Sequence, residues 1–179
     1  MIVQIDSIIV MLIKKVEIII SFTIVMLFSL IGNAQDNINA EKYYSKLKPY
    51  KYSFVDTAGK MHTLKEFKGK YIYLDVWASW CYPCTKEYPE LVKMKRQLDI
   101  NRIQVVNLSI DNGDFRWKGA LSFWGMSGNL WRVTDTTFEH DFYVYRIPRF
   151  ILINKKGKII KFEMTRPSNP ETLLFLNKF

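Results

Sequence analysis

Tyr71-Ile72-Tyr73-Leu74-Asp75-Val76-Trp77-Ala78-Ser79-Trp80-Cys81-Tyr82-Pro83-Cys84 runs an apolar stretch directly into a C-x-x-C pair. Its first seven residues, rich in aromatic and branched side chains, predict a buried strand. Thr85 to Leu98 predicts the helix that follows. A strand-to-helix turn sets the first sulfur, Cys81, among unpaired backbone N–H groups at the positive end of the helix dipole. Both stabilise a thiolate, the reactive form of cysteine, and make Cys81 the expected exposed and more acidic thiol. Cys84 follows one turn later, close enough to close a Cys81–Cys84 disulfide. The chemistry implied is dithiol–disulfide exchange.

Two other uses of the pair compete. A structural zinc site needs four Cys or His ligands at characteristic spacings. This chain has two cysteines and two histidines, and His62 and His140 lie far from the pair and from each other, so no metal is expected. A purely structural disulfide would close a very short loop and restrict the unfolded chain little. Redox use is the favoured expectation, with no cofactor beyond the cysteines themselves.

The N-terminus divides from the rest. Lys14-Lys15 precede an apolar stretch from Val16 to Ile31, and Gly32-Asn33-Ala34 then offers small residues at a cleavage site. Residues 1–34 therefore predict a secretory signal peptide, with Met11 as an alternative start. The alternative is an uncleaved anchor, although the stretch is shorter than the ~20 residues a spanning helix wants. Cleavage after Ala34 leaves residues 35–179, enough for one domain with a proper core. The formal net charge of +9 comes from scattered lysines and arginines with no basic stripe, so no nucleic-acid partner is expected. Export fits a chain whose only cysteines form the C-x-x-C.

Residues 35–49 form a lead-in, with a short helix expected over Asn39 to Leu47 and ended by Pro49. Ser53 to Leu64 predicts two short strands around an Asp/Gly turn. Ile103 to Ile110 is the next buried strand, and Asp114 to Trp124 a helix stopped by Gly125 and Gly128. Thr137 to Tyr143 predicts a short helix. Arg149–Asn154 and Lys158–Glu163 form a strand pair across Lys155-Lys156-Gly157, and Asn169-Pro170-Glu171 opens a closing helix. This order predicts an α/β domain over 50–179, with a central mixed β-sheet, helices on both faces and an N-terminal β-hairpin extension.

The segment Asp75 to Cys84 resembles the active-site segment of thioredoxin-fold proteins. Cys84-Thr85-Lys86-Glu87-Tyr88-Pro89 is similar to the C-x-x-E-x-P continuation of exported thiol–disulfide oxidoreductases of the TlpA/ResA type. The hairpin with Asp56, Gly59 and Lys60, the Gly69-Lys70 pair, Ile147-Pro148 before Arg149–Ile153, and Gly157-Lys158 match that subgroup as well. The resemblance implies a thioredoxin-like fold, Cys81 as attacking thiol and Cys84 as resolving thiol. It also implies that Asp75 is a buried acid under the cysteines and that Pro148 is a cis-proline facing the disulfide. Asn107 stands where many thioredoxins carry a lysine, and Tyr82-Pro83 replaces Gly-Pro between the cysteines.

Asp75 is the expected base for the second thiol, unless it points to solvent at a strand end. Glu87 either modulates that proton transfer or is a helix-start acid favoured by the dipole. Trp80 and Tyr82, with Pro83 and the Ile147 backbone, form an expected docking surface for a polypeptide; simple packing is the alternative for Trp80. Expected partners are protein thiols and disulfides, with an apocytochrome c or a membrane electron donor as candidates, in the periplasm or anchored facing it. The resemblance favours a reductant. A thiol peroxidase of the peroxiredoxin type is one alternative, but Ala78 and Ser79 occupy the positions where its threonine is expected. A non-enzymatic binding or metal-delivery module is the other.

Overall fold

A computed structural model of the protein describes residues 14–29 and 42–179. The chain divides into two compact units, Met1–Tyr43 and Tyr44–Phe179. In the first, helix α1 runs over 14–29 with all its residues exposed. No helix among the described residues is long and apolar enough to cross a membrane. Met11 and the expected cleavage point after Ala34 lie outside the described residues, as does the start of the helix expected from Asn39. Among the described residues of that segment, 42–44 are helical.

The second unit is built on one seven-stranded mixed sheet. Its strands are β1 (Ser53–Asp56), β2 (Met61–Thr63), β3 (Tyr71–Trp77), β4 (Ile103–Ser109), β5 (Asn129–Val133), β6 (Arg149–Ile153) and β7 (Ile159–Lys161). Their spatial order is β2-β1-β5-β4-β3-β6-β7. The three central strands, β5, β4 and β3, are parallel neighbours; β6 and β1 join either side antiparallel. Strands covered on both faces carry near-continuous apolar runs, and β3 is buried from Ile72 to Trp77. The hairpin β1–β2 extends the sheet at one edge, where Asp56 Oδ1 accepts the N–H groups of Ala58 and Lys60, each at 2.9 Å.

Side-chain alternation splits the core into two layers. Ile72, Leu74 and Val76 pack with Val106, Leu108 and Ile151 against Tyr52, Phe54, Phe138 and Phe142. Tyr73, Val105, Phe150 and Leu152 face the other way. They meet Tyr88, Leu91 and Met94 of α2 (Tyr82–Lys95) and Leu176 of the closing helix. Burying a side chain such as Leu91 fully contributes roughly 1.5–3 kcal/mol. The remaining helices are α3 (Asp114–Phe123), α4 (Phe138–Asp141) and α5 (Pro170–Leu176), the last capped by Asn169, whose side chain accepts the Glu171 N–H. The expected α/β architecture with its N-terminal hairpin is borne out.

Two details differ from the sequence-based expectation. Strand β5 was not anticipated: Asn129-Leu130-Trp131-Arg132-Val133 is short and half-exposed, and it owes its extended form to pairing with both β4 and β1. Helix α2 starts at Tyr82 rather than Thr85 and ends at Lys95 rather than Leu98. Pro83 sits in its first turn, where a missing N–H costs nothing because no intrahelical acceptor is available.

Candidate active site

Strand β3 ends at Trp77, and a short turn leads to Cys81, the N-cap of α2. The Cys81 N–H donates to the Ala78 carbonyl at 3.0 Å, closing that turn. Cys81 and Cys84 form a disulfide with their Cα atoms 5.3 Å apart. The Cys84 N–H points back at Cys81, 3.3 Å from its Sγ. The same N–H also donates to the Cys81 carbonyl at 3.0 Å, so this donor at the helix start is shared between that oxygen and the first sulfur. In this oxidised form both cysteines are nearly covered, Cys81 at 4% exposure and Cys84 at 6%. Exposure therefore does not single out Cys81, contrary to the sequence-based expectation; the aimed N–H does. Trp77, Trp117 and Leu121 pack around the pair, and Ile147 reaches the same cluster.

Asp75 does not point to solvent. It is buried, and alternation along β3 puts it on the side of Tyr73, which packs against α2. Asn107, opposite it on β4, donates from Nδ2 to Asp75 Oδ2 at 2.8 Å. Burial pushes the Asp75 carboxyl up to about 7; the Asn107 hydrogen bond opposes this, and the negative charge of Glu87 adds to it. A carboxyl with that value can both take and return a proton near neutral pH.

Glu87 is the sixth residue of α2, so it is not a helix-start acid. It is buried, accepts the Ser168 N–H at 3.0 Å and the Ser168 hydroxyl at 2.9 Å, and lies 3.6 Å from Arg166. Trp80 and Tyr82 are 63% and 64% exposed, so Trp80 does not pack into the domain, and Pro83 is exposed between the cysteines. Lys86 sits over the Tyr82 ring, 4.7 Å from its centroid. The Ile147–Pro148 bond is cis, and both residues are half-buried. They line a groove of about 400 Å³ with Arg146, Arg149 and Arg166. Among the described residues, no group of His, Cys, Asp or Glu side chains could hold a metal ion.

Sequence patterns did not reveal the contribution of α3, whose Trp117 and Leu121 cover the cysteines, nor that of Ser168. The indole of Trp117 had no motif around it, and Ser168 lies 81 residues from Glu87.

The Redoxin family matches residues 42–172. Over 106 residues the chain is 27% identical to the thiol-disulfide oxidoreductase ResA of Bacillus subtilis, spanning 59% of each protein. A solution structure assigned as a thiol-disulfide oxidoreductase from Bacteroides vulgatus superposes with a TM-score of 0.65 at 40% identity, covering 71% of this chain and 84% of that one. A thiol:disulfide interchange protein from a Bacteroides species superposes with a TM-score of 0.63 at 25% identity, covering 72% and 84%. A matching family across most of the chain, the mixed sheet and the Cys81–Cys84 helix start agree: this chain belongs to the Redoxin family, as a thioredoxin-fold protein of the TlpA/ResA-like kind.

Proposed function

We propose that this chain is an exported thiol–disulfide oxidoreductase that reduces protein disulfides through the Cys81/Cys84 dithiol. The observation that carries the proposal is the Cys84 N–H aimed at Cys81 Sγ across the first turn of α2. A thiolate at Cys81 would gain that charge-assisted bond and the helix dipole together.

In the forward cycle the Cys81 thiolate attacks one sulfur of a partner disulfide. A mixed disulfide forms and the partner's other sulfur leaves as a thiolate, which takes up a proton. Cys84 then loses its proton to Asp75 and attacks Cys81 Sγ. The second partner sulfur leaves and is protonated, and the Cys81–Cys84 disulfide remains. Two electrons pass from the dithiol to the partner. An electron donor at the membrane would restore the dithiol. Trp80, Tyr82 and Pro83 would receive the polypeptide beside Ile147 and Pro148, where it can add as an extended strand. The apolar Val16–Ile31 segment and Gly32-Asn33-Ala34 support export, and an apocytochrome c is a candidate among the protein disulfides it would reduce.

Insulin-disulfide reduction tests this function. Cys81→Ser should abolish activity, and Cys84→Ser should trap a mixed disulfide through Cys81. Trapping in the Cys81→Ser protein alone would reverse the two roles, and full activity in both variants would remove the redox function.

A further inference from the structure

The turn that delivers Cys81 to its helix is tied down by a residue outside the redox motif. Asp111 lies two residues beyond β4, is 4% exposed, and belongs to none of the groups considered above. Its Oδ1 accepts the Ser79 hydroxyl at 2.6 Å, and its Oδ2 accepts the Ser79 N–H at 2.8 Å and the Ser109 hydroxyl at 2.7 Å. The Ser109 hydroxyl oxygen in turn accepts the Asp111 N–H at 3.0 Å.

Direct pairing of β3 with β4 runs out at Trp77 and Ser109, with one more bond from the Ile110 N–H to the Trp77 carbonyl. Beyond that point the Ala78-Ser79-Trp80-Cys81 turn has left the sheet. Ser79 stands inside the turn, and both its N–H and its hydroxyl end on one carboxylate. A carboxylate suits this place because it only accepts and has room for three or more donors on two oxygens. A buried charge is retained only when it is satisfied in this way.

We propose that Asp111 is a positioning residue for the redox turn, pinning Ser79 to the end of β4 so that Cys81 Sγ stays in front of the Cys84 N–H. The inference rests on the redox function proposed above and adds a residue to it. Losing the tie lets the turn shift, and the thiolate then loses the fixed donor that favours it. Trp80, exposed on the same turn, loses its fixed presentation as well.

The experiment is the pH profile of Cys81 alkylation by iodoacetamide in reduced full-length protein carrying Cys84→Ser, which needs no partner. In that background, Asp111→Ala should move the profile to higher pH, with about a tenfold slower reaction at mildly acid pH. Ser79→Ala, which keeps the N–H bond, should move it less, and Ser79→Thr, which keeps the hydroxyl, should restore it. Leu64→Ala, in the opposite core layer, controls for lost stability and should leave the profile in place. If Asp111→Ala does not fold, the Ser79→Ala and Ser79→Thr pair decides. A wild-type profile in folded Asp111→Ala or Ser79→Ala protein overturns the proposal, and so does an equal shift in Leu64→Ala. Insulin reduction by the unmodified protein is scored separately. Its failure would remove the redox function while leaving the alkylation result to stand on its own.

Discussion

Asn107 Nδ2 donates to Asp75 Oδ2 at 2.8 Å, between residues that stand directly opposite in the parallel pairing of β3 and β4. The Asn107 Oδ1 is buried with no hydrogen-bond partner among the described residues. Asn107 thus offers one donor to the carboxylate form and no charge, where a lysine would offer a full positive charge. That leaves burial to dominate the Asp75 carboxyl.

The consequence is a pH-dependent cost. Asp75 titrates at about 7 in the fold against an ordinary 3.8, so the neutral form is the favoured one. Its contribution to stability is fully present below the unfolded value and is lost as pH rises through about 7. That gap corresponds to at most roughly 4 kcal/mol. Asp75→Asn should therefore stabilise the protein by about 2–4 kcal/mol near pH 8 and change little near pH 4, measured by urea unfolding. The same variant should slow resolution, so that mixed disulfide accumulates. Equal stabilisation at both pH values would contradict the assignment.

Trp80 and Tyr82 stand out from the domain beside the cysteines, and a polypeptide is the partner that could use both. The double variant Trp80→Ala/Tyr82→Ala should raise KM for a protein disulfide about tenfold, as loss of an aromatic anchor commonly does. The loss with glutathione disulfide should be much smaller. Equal losses on both substrates would mean that these rings shape the nucleophile rather than receive the partner.

His62 bridges two carboxylates, with Nδ1 2.9 Å from Glu66 Oε2 and Nε2 3.1 Å from Asp56 Oδ2, and its ring stacks on Trp131. Burial pulls its pKa down, but the hydrogen bonds to Glu66 and Asp56 outweigh this and raise it above 6.5. The stabilisation is thus fully present below 6.5 and disappears as pH rises through the folded value. His62→Gln should destabilise most near pH 5 and least above about pH 8, read from thermal unfolding. A constant difference across that range would count against a charged bridge.

Gly157 closes the turn between β6 and β7 at φ 80°, and a Cβ there would lie 2.5 Å from Cε2 of the Tyr50 ring. Gly157→Ala combines left-handed backbone strain with a collision against a half-buried ring. A loss of about 2–4 kcal/mol in urea unfolding is expected. A loss near zero would mean that Tyr50 swings aside without cost.

Local patterns sufficed for much of this protein. An apolar run of seven residues, a C-x-x-C with Pro83, the Asp56–Gly59 turn and the Asn169-Pro170 start each act within a few residues. Capping, turn and periodicity rules therefore reach them, and their order alone gives an α/β sheet with helices on both faces. Tertiary structure decided what depends on neighbours distant in sequence. Strand β5 is extended because two strands accept it, and nothing in Asn129–Val133 requires that by itself. Because β3 is buried on both faces, sequence parity could not say which face Asp75 takes; the packing of Tyr73 on α2 decides it. Asn107 for Asp75, Ser79 for Asp111 and Ser168 for Glu87 lie 32 to 81 residues away in the chain, beyond the reach of any local rule. The sequence could name Asp75 and Glu87 but not Asp111, and only the folded chain could say which donors all three meet, because desolvation and hydrogen bonding are properties of the assembled site.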